Sequence, residues 1–247
     1  KNGEGEGSGT AEDPFTTIAR AMDEAATYAT EDYVVTIQLA AETFAEAVNF
    51  APNVALRGAD PSNRGATVIA PALAQVQANG DRAILAAENT VLANLTVVLQ
   101  LTDSSDFRLL SIDGVKMTVF NVALDGSNLL GSVGISILNL GSSGTVVQDC
   151  LIRQCEFGMR ALATGARITR TRFETIQEDA LFVQRPTDGK GAEAEVVPQM
   201  GDVRDLKESG QNSFDADSIG GAFINNLNET ATIVAEGNEW GSDEFGD

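Results

Sequence analysis

Leu92-Ala93-Asn94-Leu95-Thr96-Val97 returns 27 residues later as Val119-Phe120-Asn121-Val122-Ala123-Leu124. It returns again after 28 residues as Val147-Gln148-Asp149-Cys150-Leu151-Ile152, and after 21 more as Ile168-Thr169-Arg170-Thr171-Arg172-Phe173. Each six begins and ends on an apolar residue. The two ends lie five apart, an odd number, so strict strand alternation cannot turn both inward and the chain must bend between them. Position three of the bend reads Asn94, Asn121, Asp149, Arg170, and position four reads Leu95, Val122, Cys150, Thr171. A bend that carries a stacked Asn is the corner of a β-solenoid, and Asn94 and Asn121 are placed to form a hydrogen-bonded ladder there.

A second apolar run follows each six: Phe107 to Ile112, Gly134 to Leu140, Gly158 to Leu162 and Ala180 to Gln184. Gly114, Gly141 and Gly165 close three of them. Repeats of this length without a helix fit the coils of a parallel β-helix, with at least two strands per coil. Earlier β-rich runs occupy Tyr33 to Leu39, Val54 to Arg57, Thr67 to Ala70 and Ala83 to Ala86. Strand-like pieces resume at Ser213-Phe214, Ile219 to Ile224 and Thr232 to Ala235. The chain has room for eight or nine coils, a rod of about 40 Å at the strand spacing.

Upstream, Phe15, Ile18, Ala19, Met22, Ala25 and Ala26 recur at helical spacing. Asp13 suits the N-cap and Pro14 the first helical position. The sequence thus predicts a helix over 13–29, capping the first coil. Residues 1–12 read as a glycine-rich tether, 13–240 as one domain with an insertion loop at 189–208, and 241–247 as an acidic tail. Trp240 is expected to cover the last coil.

The 247 residues include 36 Asp or Glu, 16 Lys or Arg and no His, giving a net charge of -20. Without histidine, this chain holds no Ser-His-Asp or Cys-His site and no histidine-ligated metal. The charge repels nucleic acid and anionic membrane surfaces, so neither is an expected partner. No apolar run approaches the ~18 residues that span a bilayer. Cys150 and Cys155 are too few for a disulfide scaffold or a zinc site, and read as small core residues.

The opening Gly9-Thr-Ala-Glu-Asp-Pro-Phe-Thr-Thr-Ile-Ala-Arg-Ala21 resembles the cap-helix segment of proteins of the pectate-lyase-like superfamily. Thr43, Phe44, Glu46, Ala47 and Val48, then Val54, Leu56, Arg57 and Gly58, are similar to the next part of that pattern. Gly237-Asn-Glu-Trp-Gly241 is similar to its ending. The resemblance spans nearly the whole chain. It implies an all-β fold, a right-handed parallel β-helix (solenoid) with an N-terminal capping α-helix. It does not fix an activity, because the superfamily holds lyases, hydrolases, epimerases, tailspikes and surface proteins.

Lyases of that superfamily abstract a proton beside a uronate carboxylate, using an Arg or Lys base and often Ca²⁺. Here Arg153, Arg160, Arg167, Arg170 and Arg172 crowd into 20 positions. Asp149, Glu156, Glu174, Glu178 and Asp179 lie close by. Arg170, Arg172, Asp149, Glu178 and Asp179 are the catalytic candidates; Arg153, Arg160, Arg167, Glu156 and Glu174 are candidates for clamping an acidic glycan. The plainer expectation is that arginines and acids pair across neighbouring rungs. Glu178-Asp179 with Asp149 or Glu174 would suit a glycosidase, but a polygalacturonase-like site expects a histidine that is missing here.

Asp103-Ser-Ser-Asp106, Asp202 to Asp205 and Asp215-Ala-Asp217 offer oxygens to Ca²⁺ without the spacing of a known calcium loop. They read as solvated turns, and no metal site or cofactor is expected, with Ca²⁺ the alternative. Asn94-Leu95-Thr96 is formally a glycosylation sequon, but it sits in a repeat strand. The leading expectation is an exported, non-catalytic domain, extracellular or on the cell surface, that binds glycans or serves as a scaffold. The tether also suits a lipid anchor. The alternatives are a Ca²⁺-assisted polyuronide lyase with an Arg base, and a self-assembling surface protein stacked end to end.

Overall fold

The computed structural model describes residues 7–100, 106–138, 144–162, 165–184, 200, 210–215, 219–227, 233, 235 and 238–240. The chain winds as a right-handed parallel β-helix with three strands per coil. The first stack comprises Val35–Gln38, Val54–Arg57, Thr90–Ala93, Met117–Phe120, Val146–Gln148 and Arg167–Thr169. The second comprises Thr43–Phe44, Val68–Ile69, Thr96–Val98, the start of Ala123–Leu138, the start of Leu151–Leu162, Arg172–Glu174 and Ser213–Phe214. The third comprises Val48–Asn49, Arg82–Leu85, Arg108–Asp113, the ends of the two long strands, Leu181–Gln184 and Ile224–Asn226.

The six-residue repeat sets the register. Leu92, Val119, Val147 and Ile168 are direct partners in the first stack. Val97, Leu124, Ile152 and Phe173 are direct partners in the second. All eight are fully buried. A third column, Ile84, Leu110, Ile135, Met159 and Leu181, completes the core. Each such side chain contributes on the order of 1.5–3 kcal/mol by leaving water. At the C-terminal end the core becomes aromatic. Phe173 stacks on Phe214 at 5.0 Å and Phe214 on Trp240 at 4.8 Å, so Trp240 covers the second stack.

The corner between the first and second stacks is a column of left-handed backbone. Asn94, Asn121, Asp149 and Arg170 have φ of 59°, 52°, 56° and 47°. Gln211, two residues before Ser213 as Arg170 is before its partner Arg172, continues the column with φ of 48°. Asn tolerates this conformation because its short polar side chain bonds locally. Here the Asn121 amide donates to Asn94 Oδ1 at 3.0 Å and to the Pro61 carbonyl at 2.8 Å. Gly58 stands one rung before Asn94, where a Cβ would lie 1.9 Å from the Asn94 carbonyl oxygen. A second ladder, absent from the sequence reading, joins Asn89 to Asn53 at 2.9 Å, both again left-handed.

The segment between Arg57 and Val68 lies lengthwise along this corner. Besides the Pro61 contact, the Arg64 carbonyl accepts from Thr96 Oγ1 at 3.1 Å, and Arg64 Nη1 donates to the Asp149 carbonyl at 3.2 Å. One strap thus fastens three successive coils.

One expectation is corrected. The cap helix spans Ile18–Ala26, not 13–29, and its N-cap is Thr17, whose side chain accepts from the Arg20 N–H. The Asp13 carbonyl instead closes a turn with the N–H groups of Ser8 and Gly9. Glu46, from the first coil, accepts the Ile18 and Ala19 N–H groups at 2.8 and 3.1 Å, a carboxylate at the positive helix end. Coils have three strands, in keeping with the expected minimum of two. Seven coils stand among the described residues, roughly 30 Å at the strand spacing. The second coil is long because the strap and a short helix, Leu73–Ala78, are inserted in it.

The early runs otherwise become strands within two residues of their expected bounds. Of the insertion loop at 189–208, only Met200 lies within the described residues, and it is buried. Residues 1–6, half of the tether, and the whole tail at 241–247 lie outside them. Of Thr232 to Ala235, only Ile233 and Ala235 are described, and neither is in a strand.

Two outcomes test this packing. Asn121→Ala is expected to lose about 1–2 kcal/mol, from two hydrogen bonds and the left-handed preference, while Asn121→Gly loses less. Denaturant unfolding of both variants measures the order; a Gly variant as damaged as the Ala variant contradicts it. Cys150 and Cys155 are free and buried, and burial pushes both thiols up to about 12. Neither should react with Ellman's reagent in the native state at pH 8, and both should react in denaturant.

Candidate functional site

The five clustered arginines do not form one patch. Three stacks and a corner separate them, because neighbours in sequence turn to different faces. Arg170 stands at the corner in a bidentate pair with Asp149, at 2.6 and 2.8 Å. That pair continues the Asn ladder by one rung in ionic form. It offsets the roughly 1–2 kcal/mol that a left-handed backbone costs a side chain as large as Arg. The bond to Arg170 holds the Asp149 carboxyl below the usual range, and the same bond raises Arg170. Proton abstraction by Arg170 would need a shift the other way.

On the second stack, Arg153 is in register with Asp125 and Glu174. Its guanidinium meets Asp125 Oδ2 at 2.8 Å. Asp125 is buried, and it also accepts from the Ser127 N–H and, in the better amide orientation, from Gln154. Arg172 pairs with Glu174 at 2.5 Å on its own strand. Glu156 Oε2 accepts the Gly131 N–H at 2.6 Å, tying one bend to the next. Arg167 opens the last first-stack strand, where its N–H bonds the Thr145 carbonyl.

Glu178 is exposed, while Asp179 is buried and fully used. Its two oxygens accept from the Ala222 N–H and the Asn225 amide, each at 2.8 Å. Asp179 therefore fastens the next coil. Asp149, Glu174 and Asp179 lie at a corner, on the second stack and at the start of the third, so these candidates are not brought to one place. Among the described residues no three His, Cys, Asp or Glu side chains are grouped to hold a metal ion. Asp106 is committed to arginines; 103–105, 202–205 and 217 lie outside the described residues.

The third stack carries a different constellation, of which the sequence reading found only Arg160. Arg82 and Arg108 are direct partners on adjacent rungs, and Val133 and Phe157 continue that column. Beside it run Ser111, Ser136, Arg160, Phe182 and Asn225. The Arg160 guanidinium lies 3.9 Å from the Phe157 ring centre, and Phe157 meets Phe182 at 5.7 Å. Arg160 and Arg108 share one carboxylate, Asp106, at 3.3 and 3.4 Å. Both phenylalanines are half-buried. In a chain of charge -20, this stack places Arg82, Arg108 and Arg160 on neighbouring columns, with Asp106 between the last two. Register aligns residues from separate coils, which no local motif records.

A cavity of about 600 Å³ lies between the cap segment and the first coil. Pro14, Phe15, Tyr28, Ile37, Gln38 and Phe44 are among its lining residues.

No known protein family matches this sequence, and no curated protein matches it. Solved structures similar to this chain include the deglycosylated pectin methylesterase from Aspergillus niger, at 14% identity and a TM-score of 0.48, covering 95% of this chain and 85% of that one. The pectin methylesterase from Yersinia enterocolitica matches at 19% identity and a TM-score of 0.41, covering 84% and 81%. That from Erwinia chrysanthemi matches at 13% identity and a TM-score of 0.42, covering 92% and 79%.

The Asp149–Arg170 pair predicts a pH dependence. A depressed carboxyl stabilises the fold above its unfolded pKa, about 3.9, and the contribution fades as pH falls through the lower folded value. Wild type and Asp149→Asn should therefore differ in unfolding midpoint by a constant amount above about pH 5, and converge below pH 4. A difference unchanged down to pH 3 would contradict the assignment.

Proposed function

We propose that this chain is an exported, non-catalytic β-helix domain that binds glycans through the outer face of its third stack. The observation that carries this reading is the Phe157–Phe182 pair with Arg160 laid over Phe157. Half-buried rings on a rigid sheet give the C–H faces of a sugar an apolar seat, and the guanidinium and Asn225 supply donors for hydroxyl groups. Cross-rung pairing holds the platform without a ligand, so little order is lost on binding. The non-catalytic part is supported by the commitment of Arg153, Arg170 and Arg172 to carboxylates and by the raised pKa of Arg170. Such a domain works outside the cell, where polysaccharides are met, and its acidity suits that setting. Among the described residues no helix is long and apolar enough to cross a membrane.

Oligosaccharides from neutral and acidic polysaccharides, pectin fragments included, test the reading by calorimetry. Binding should fall roughly tenfold, about 1.4 kcal/mol, in Phe157→Ala, and stay unchanged in Arg172→Ala on the second stack. Incubation with the same panel should release neither unsaturated sugar nor methanol. Turnover would refute the non-catalytic reading, and binding indifferent to Phe157→Ala would refute the site.

A further inference from the structure

Among the described residues, three buried side-chain polar atoms have no hydrogen-bond partner: Arg82 Nε, Ser111 Oγ and Arg160 Nε. Buried polar groups are satisfied as a rule, so each exception asks for an explanation. All three lie on the third stack, in three different coils. Arg82 is the register partner of Arg108, and Ser111 and Arg160 share the neighbouring column through Ser136. Ser111 is wholly buried.

Asp106 is the carboxylate that serves this group, and it serves it loosely. Its contacts to Arg108 and Arg160 are 3.4 and 3.3 Å, and its side chain remains 56% exposed. Charge-assisted bonds are ordinarily about 2.7–2.9 Å. The Arg153–Asp125 and Arg170–Asp149 pairs of this same chain meet that standard, at 2.8 and 2.6 Å. The third stack thus holds more donors than acceptors, with Arg160 kept in place by the Phe157 ring whether or not Asp106 is present.

We propose that Arg108 and Arg160 form an anion subsite for a carboxylate or sulfate group carried on a sugar, and that Asp106 is an internal stand-in which this group displaces. The subsite rests on the glycan reading for the rest of its ligand and names that ligand's charge class. The oxygens of the incoming group would accept from the guanidinium N–H groups that Asp106 now meets at 3.4 and 3.3 Å. Displaced Asp106 would be solvated, which its exposure makes easy.

The test is a nuclear magnetic resonance titration of the full chain with sodium sulfate at constant ionic strength, following the arginine Nε–H signals. Maltohexaose serves as the neutral comparison. Saturable shifts are expected at Arg108 and Arg160, lost in the Arg108→Gln, Arg160→Gln double variant. Asp106→Asn, a surface change that spares the fold, should tighten sulfate about threefold or more, because a self-occupied site becomes free. Linear, unsaturated shifts, or weaker binding in Asp106→Asn, would overturn the proposal. If sulfate saturates but no glycan binds, the subsite stands and the glycan reading falls; if maltohexaose shifts Phe157 and sulfate does nothing, the reverse holds.

Discussion

Each strand of the solenoid is bonded to the strand one rung away, so a bend in one coil must recur at the same register in the next. Backbone hydrogen bonding leaves no slack for a corner to drift. Here the corner demands left-handed backbone at one position per rung, and the residues that fill it solve the same problem differently. Asn94 and Asn121 bond to each other, and Asp149 and Arg170 form a bidentate ion pair. The strap over this corner is held where the ladder offers it a donor, the Asn121 amide, and an acceptor, the Asp149 carbonyl.

The same constraint shapes the outside. Once register is fixed, exposed side chains at equivalent positions meet across rungs, and their chemistry is decided by what stands one coil away. On the second stack, Arg153 finds Asp125 at a full-strength contact. On the third, among the described residues, Arg108 and Arg160 share one half-exposed carboxylate, Asp106, with phenylalanines beside them. A paired column adds stability and order; a column with donors left over offers recognition. That contrast, within one protein and one type of sheet, carries the functional reading.

The sequence shows the fold in the spacing of its hexapeptides, because an interior column needs an aliphatic residue at every return. The Asn ladder was legible for the same reason. The cap helix start was misjudged: Asp13-Pro14 is a good local signal, but Glu46, 28 residues away from Ile18, anchors the N-terminus one turn later at Thr17. The third strand of each coil was legible as the second apolar run, which falls on Arg108–Asp113, the ends of Ala123–Leu138 and Leu151–Leu162, and Leu181–Gln184. The binding face was largely illegible. Arg82, Arg108, Phe157 and Phe182 lie in four different coils, and only the lengths of the segments that connect them decide that they align. Crowding of arginine in sequence misled for the converse reason, since residues two or three apart turn to different stacks.

A crystal structure of the protein with an acidic oligosaccharide bound would test the central claim, that leftover donors on the third stack are a recognition surface. The account predicts sugar density against Phe157 and Phe182, its acidic group at Arg108 and Arg160, and Asp106 turned away. Sugar seated on the first or second stack, with Asp106 still bridging the two arginines, would contradict it.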